Sequence, residues 1–432
     1  MDFVFDISPL IKLALVFVLI IVLIRRKISL GTSLTTGAVV MGLWFRLSPL
    51  EILVSLFSAL TSPETVILFL VVTLILILSH SLEKTGQMKR LLASFAGISR
   101  NPRLNLALFP AMIGLLPMPG GAIFSAPMVH EISREKNLTP RHKTLINYWF
   151  RHIWEFCWPL YPGVILTCSL SGIDLATFVV AQFPMTLLMA TVGYFTQLKP
   201  LRLAKASQPV GLNANRSDFF IELTPILIVI GGGIILGTIV HLMGNHWPVF
   251  RSVRKEVSLI AALLISVVWV WRYNRMAGNQ IKQIFLNKSL ASMIFMIAGI
   301  MIFQGILEDS RAVTDISESL TTARVPVVLV IVILPFLVGT ITGITVAFVG
   351  ATFPIVLSLI ANSPMADALL AYTVLAFCSG YLGVLLSPLH VCLILTCEYF
   401  HTALIHIYRR LWLPAAVVAL GGFISFWVLH LV

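Results

Sequence analysis

Long apolar runs, each closed by a short basic or polar stretch, recur from one end of the chain to the other. Runs of the length a bilayer demands, roughly 17 residues or more, lie at 9–24, 28–47, 64–81, 143–170 and 174–197. After a polar stretch they resume at 219–243, 257–273, 288–308, 366–397 and 410–431. The pattern predicts ten crossings, five on either side of a linker over 199–218, KPLRLAKASQPVGLNANRSD. Two further apolar stretches, 104–131 and 324–362, are too long for one helix and are broken at their centres. The first break is PMPGG, Pro117–Gly121, and the second is Thr340-Ile341-Thr342-Gly343. Each stretch predicts a re-entrant hairpin of two half-helices, because irregular backbone survives at membrane depth only where protein or a wet cavity satisfies it. The spans 143–170 and 366–397 are interrupted too, at Pro159, Pro162-Gly163 and Ser387-Pro388. The segments 49–60 and 276–287 predict amphipathic helices lying flat on the membrane surface.

The two halves resemble each other. PLYPGVILTC (Pro159–Cys168) and PLHVCLILTC (Pro388–Cys397) match at six of ten positions, at an offset of 229. Leu82-Glu83 matches Leu307-Glu308, Pro110 matches Pro335 and Gly114 matches Gly339, all at 225. An internal duplication is expected, with a first repeat over 1–198, a cytoplasmic linker over 199–218 and a second repeat over 219–432. Five crossings is an odd number, so the second repeat is inverted. The predicted fold is an all-α polytopic membrane protein of two inverted five-helix repeats, each with one re-entrant hairpin. Loop charge fits this: one face collects 22 of the 30 Lys and Arg and the other seven. The rich face is then cytoplasmic, with both termini outside.

Composition agrees. The chain is 58% hydrophobic and 11% charged, which excludes a soluble globular domain. The net charge of +12 belongs to cytoplasmic loops and lipid headgroups rather than to a nucleic-acid surface. The N-terminus lacks a basic region and a cleavage site, so its apolar stretch reads as a retained span of a cytoplasmic (inner) membrane protein. Five cysteines, at 157, 168, 378, 392 and 397, sit in apolar surroundings and read as reduced core thiols. His390, Cys392, Cys397 and His401 fall close together, but their spacing matches no zinc pattern; no metal site and no cofactor are expected.

A helix interrupted at the bilayer centre presents N–H groups to anions and carbonyls to cations. The candidate substrate contacts are therefore residues at the breaks: Pro119, Gly120, Gly121 and Ser125, with Thr340, Thr342, Gly343 and Thr345, and with Tyr161, Ser387 and His390. Thr167 and Thr396 are candidates for ion coupling. Each of these hydroxyls serves equally well by bonding back onto its own helix or joining two helices. The most polar segment within a span is NYWFRHIWEFCWP, Asn147–Pro159. Arg151 and Glu155 are four apart and pair on one helical face. In a helix running to Pro159, Glu155 lies about 6 Å and Arg151 about 12 Å below the break. One reading gives Arg151 to a substrate carboxylate and His152 or Glu155 to ion coupling. The other makes the pair an internal brace and His152 a satisfied core histidine. The matching positions in the second half are Gly380, Tyr381 and Val384, so the charge cluster is asymmetric. GGGIILG, Gly231–Gly237, predicts close helix packing.

LPMPGGAIFSAPMV together with NYWFRHIWEFCWPLYPG resembles the membrane family named domain of unknown function 401, over nearly the whole chain. In layout it is similar to the ion-transporter superfamily, which includes divalent-anion/sodium symporters, gluconate and citrate permeases and the large membrane subunit of tripartite carboxylate transporters. The resemblance implies an elevator mechanism, in which hairpins and broken spans slide against a homodimeric scaffold. It also implies a small organic anion as substrate and H+ or Na+ as coupling ion. The symporters carry Ser-Asn-Thr at both hairpin tips; here the tips read PMPGG and TGIT, without Asn. A cation/H+ exchanger on the same architecture, using Glu155, is the alternative. No nucleophile motif or nucleotide loop speaks for an enzyme.

Overall fold

The computed structural model describes residues 8–96, 101–117, 121–133, 138–201, 216–246, 255–322 and 326–431. Among these the chain is helical throughout, with no strand. In chain order the helices are α1 (Pro9–Arg25), α2 (Leu30–Trp44), α3 (Pro49–Thr61), α4 (Pro63–Lys84), α5 (Gln87–Ala96), α6 (Pro102–Gly114), α7 (Ala122–Ser133), α8 (Pro140–Arg151), α9 (Pro162–Ser171) and α10 (Leu175–Gly193). After the linker come α11 (Arg216–His246), α12 (Lys255–Tyr273), α13 (Gly278–Phe285), α14 (Lys288–Asp309), α15 (Ala312–Thr322), α16 (Val327–Thr342), α17 (Thr345–Ala361), α18 (Leu369–Leu385), α19 (Val391–Tyr399) and α20 (Leu404–Leu431).

Local chemistry sets many of the starts. Proline stands at the first position of α3, α4, α6 and α8, where its missing N–H costs nothing. The preceding Ser48, Ser62, Asn101 and Thr139 accept main-chain N–H bonds from the first turn. At α3 the cap is reciprocal: Glu51 accepts the Ser48 N–H at 2.7 Å while the Ser48 hydroxyl accepts that of Glu51.

Among the described residues, seven helical stretches are long and apolar enough to cross a membrane: Pro63–Lys84, Leu175–Leu198, Ser217–Val240, Glu256–Tyr273, Gly278–Asp309, Ala366–Leu385 and Leu404–Leu431. The chain is a multi-pass membrane protein. The expected span over 143–170 is two half-length helices, α8 and α9, and Leu30–Trp44 and both helices of the 324–362 stretch are also shorter than a full crossing. Outward-facing Leu, Ile, Val and Phe on α10, α11 and α20 form a surface suited to hydrocarbon.

The two halves keep one register. α2 and α12, α4 and α14, α5 and α15, and α6 and α16 begin 225 residues apart. α8 and α18, α9 and α19, and α10 and α20 begin 229 apart. Left-handed backbone recurs the same way: Gly86 and Arg311 are 225 apart, and Gly172 and His401 are 229 apart. The halves also interlock. α2 packs on α14 as α12 packs on α4, and α17 on α9 as α7 on α19. Close helix approach repeats too: a Cβ added at Gly114 would lie 2.2 Å from the Arg151 carbonyl oxygen, and one at the matching Gly339 2.2 Å from that of Gly380.

Three expectations change. The helix carrying Arg151 ends at Arg151 and unwinds from His152 to Tyr161, so Arg151 lies at the break rather than about two turns below it. The reason is tertiary, since no residue of HIWEFCW forbids helix. The short helices α5 and α15 follow the spans 64–81 and 288–308 where no helix is expected. GGGIILG packs less closely than its glycines suggest: Gly232 meets Ala262 at 3.4 Å, while a Cβ at Gly231 or Gly237 would find nothing within 4 Å. Pro119 and Gly120, two of the expected substrate contacts, and most of the 199–218 linker lie outside the described residues.

Candidate functional site

A helix broken inside a membrane leaves carbonyls without partners at its C-terminal end. Four such ends meet here, and a hydroxyl closes each. The Tyr161 hydroxyl donates to the Gly114 carbonyl at the end of α6, at 2.7 Å. The Tyr381 hydroxyl donates to the His152 carbonyl beyond α8, at 2.9 Å. The Tyr148 hydroxyl donates to the Leu385 carbonyl at the end of α18, at 2.8 Å. Ser387 Oγ donates to the Thr340 carbonyl near the end of α16, at 2.7 Å. The N-terminal ends are treated differently: α9, α17 and α19 start at Tyr161, Ile344 and His390 with no side-chain cap.

Arg151 and Glu155 lie among these ends and are nearly inaccessible. Arg151 Nη1 stands 3.4 Å from Glu155 Oε1. His152 Nε2 is 3.7 Å from the same oxygen. The Thr345 hydroxyl, from the first residue of α17, donates to Glu155 Oε2 at 3.2 Å. The Glu155 carboxylate thus occupies the mouth of the uncapped α17 N-terminus, where the helix dipole favours an anion. The pair is buried, so removing one partner would strand the other at a cost of about 3–5 kcal/mol.

Glycines permit the crowding. A Cβ at Gly163 would lie 2.5 Å from Thr345 Cγ2, and one at Gly343 would lie 2.8 Å from the His390 nitrogen. Gly343 also takes φ +65°, which ends α16. The second hairpin tip is thereby held against the break between α18 and α19.

The structure gathers Arg151, His152, Glu155, Tyr161, Gly343, Thr345, Ser387 and His390 around this junction. The remaining candidate hydroxyls bond to their own helices: Ser125 to the Ala122 carbonyl, Thr340 to Phe336, Thr342 to Val338, Thr167 to Gly163 and Thr396 to Cys392. Gly121 is buried beside α7. The sequence reading missed four residues of the junction: Asn147, Tyr148, Tyr381 and Cys392. Asn147 Nδ2 donates to the Ala122 carbonyl at 3.0 Å and to Thr396 Oγ1 at 3.2 Å. A tyrosine inside a span is itself a signal, because its buried hydroxyl must find a partner. Among residues able to hold a metal, His152, His390 and Cys392 bring ligand atoms within 4.8 Å of one another.

Two depressions flank the broken spans at matching positions. One, of about 400 Å³, is lined by Glu64, Cys168, Gly172, Asp174 and Glu256 among others. The other, of about 610 Å³, is lined by Cys397, Glu398, His401 and Thr402 among others. Cys168 and Cys397, like Gly172 and His401, are 229 residues apart.

The chain belongs to the family described as protein of unknown function (DUF401), which it matches over residues 8–429. Its fold is similar to that of the Alcanivorax borkumensis YdaH transporter in a crystal structure, with a TM-score of 0.61 at 16% identity, over 88% of this chain and 89% of that one. At that identity the likeness is one of fold. No curated protein matches the chain.

Proposed function

We propose that this member of the DUF401 family is a secondary active transporter, not an enzyme, that moves a small organic anion of the carboxylate type across the cytoplasmic membrane. The observation that carries this reading is the unequal treatment of the helix breaks. Hydroxyls close the carbonyl ends that would attract a cation. The N–H ends of α9, α17 and α19 carry no side-chain cap, and Arg151 lies beside them. Glu155 already rests a carboxylate between Arg151 and Thr345, so it stands where the carboxylate of a substrate would bind. Substrate then replaces Glu155 on Arg151, whose planar fork suits a carboxylate.

The shared register of the halves supports an inverted duplication. In that arrangement the hairpins α6–α7 and α16–α17, with the broken spans α8–α9 and α18–α19, form a transport unit. It slides as an elevator against a homodimeric scaffold built from the other spans, coupled to H+ or Na+, and the two depressions open to opposite faces. The fold likeness to a transporter fits this reading. A cation/H+ exchanger using Glu155 is less well supported, because Glu155 is already ion-paired with the Arg151 guanidinium 3.4 Å away.

A thermal-shift screen of the purified chain against carboxylates, sugar acids and amino acids, with and without Na+ at several pH values, tests the reading. A carboxylate should raise the melting temperature of the wild type and leave Arg151→Gln unmoved. Stabilisation by cations alone, with none from any anion, would overturn it in favour of the exchanger.

A further inference from the structure

His152 comes from the first half of the sequence and His390 and Cys392 from the second, and they meet at the junction of the broken spans. Their ligand atoms lie within 4.8 Å of one another, and all three side chains are buried. We propose that they form a three-ligand binding site for a thiophilic divalent cation of the Zn2+ class. This inference does not rest on the transport reading.

The hydrogen bonds of the two imidazoles carry it. His152 Nδ1 faces the Tyr148 carbonyl at 2.5 Å, and His390 Nδ1 faces the Val384 carbonyl at 3.1 Å. A carbonyl accepts only, so each Nδ1 carries a proton, and in the neutral imidazole each Nε2 then holds the lone pair a metal needs. A backbone carbonyl on the far nitrogen is the usual support of a metal-bound histidine, fixing both tautomer and ring orientation. The His152 Nε2 lone pair is buried and has no hydrogen-bond partner, an arrangement that costs free energy unless something binds there. The Tyr148 carbonyl is available to the His152 ring because the main-chain N–H of His152 has turned to Trp149 as α8 ends.

The donor set selects the ion. Two imidazoles and a thiolate suit zinc or cobalt and not magnesium or calcium. Bonds of about 2.0–2.3 Å put tetrahedral donors roughly 3.3–3.8 Å apart. The three atoms therefore close in by about 1 Å on binding, a shift within reach of side-chain rotation. Binding converts the Cys392 thiol to a thiolate, and the proton leaves to solvent. The bound ion ties the break after α8 to the start of α19, and so joins the two halves at the centre of the fold.

Co2+ is the probe, titrated into the full chain purified in detergent. One equivalent should bring up tetrahedral visible bands and a thiolate-to-cobalt charge-transfer band, both bleached by Zn2+. Cys392→Ser should abolish the charge-transfer band, and Cys397→Ser should keep it. His390→Gln should weaken Co2+ binding by at least about tenfold, and it decides the matter if Cys392→Ser fails to fold. No thiolate band in the wild type, or a band that survives in Cys392→Ser or is unweakened in His390→Gln, would overturn the site. Anion stabilisation measured in the presence of a chelator reports on the transport reading separately.

Discussion

The Tyr381 hydroxyl donates to the carbonyl of His152 at 2.9 Å, and the two residues are 229 apart, the interval that separates Pro162 from Val391. One residue is thus hydrogen-bonded to its own counterpart in the other half, as happens where a pseudo-two-fold axis passes between them. The same bond closes the C-terminal end of α8. Tyr381→Phe leaves the His152 carbonyl only the long bond from the Glu155 main-chain N–H at 3.4 Å and should cost about 0.5–1.5 kcal/mol, read as a lower melting temperature with the helix content of the folded state unchanged. Tyr148→Phe should behave alike, since Tyr148 closes the end of α18.

Arg151 and Glu155 should respond unequally to neutralisation. Arg151→Gln strands Glu155 and removes the anion's main partner, so stability falls by about 3–5 kcal/mol and no anion restores it. Glu155→Gln also destabilises, but it vacates a place an anion can take. The melting shift produced by a carboxylate ligand should therefore be larger in Glu155→Gln than in the wild type. Equal shifts would reduce Glu155 to a brace.

Two glycines separate conformational strain from crowding. Gly172 and Gly343 share nearly the same left-handed backbone, with φ of +68° and +65°, but a Cβ at Gly172 meets nothing within 4 Å. Gly172→Ala should cost about 1–2 kcal/mol, the penalty of that conformation alone. Gly343→Ala should cost more, because its Cβ would press on the His390 main chain at 2.8 Å. Equal losses would mean that the hairpin tip is not held against the α18–α19 break.

Single cysteines at Gly121 and Thr342 test the inversion of the halves. An impermeant thiol reagent should reach Gly121→Cys from the cytoplasmic side and Thr342→Cys from the outside, each when its face is open. Labelling of both from one side would rule the inverted arrangement out.

Acid should loosen the surface helix α3 first. Glu51 has its carboxyl held below its usual value of 4.5 by the main-chain N–H of Ser48 and then by the Ser48 hydroxyl. A folded-state value below the unfolded one means that this contribution is complete above about pH 4.5 and is lost as the pH falls through the folded value. Ser48→Ala should remove about 1 kcal/mol but keep most of that acid limb, because the main-chain N–H at position 48 remains, whereas Glu51→Gln should flatten it.

Much of the fold was legible because apolar run length and prolines dictate helix positions directly. The positions of most helices, the helix pairs α6–α7 and α16–α17, and the short helices α3 and α13 follow from those signals alone. The helices α5 and α15 escaped because they are short and mixed in composition, and only packing on α11 and α1 gives them reason to form. The break at His152 escaped for a related reason: local propensity would carry that helix on towards Pro159, and it ends early where Tyr381 takes the carbonyl. Arg151, Glu155 and His390 could be named from their rarity in apolar surroundings. Their neighbours Tyr148, Tyr381 and Cys392 could not, since each reads as ordinary core until residues more than 200 apart are brought together.

The closed carbonyl ends have a thermodynamic consequence. A helix break with its carbonyls satisfied resists deformation much as an intact helix does, so the junction around Arg151 would travel across the membrane as a solid piece. A site that keeps its shape grips its cargo with one affinity at both ends of the stroke. In the elevator proposed above, both faces would then half-saturate at the same anion concentration, and the steepest accumulation would be the one that the coupling ion's gradient and stoichiometry allow.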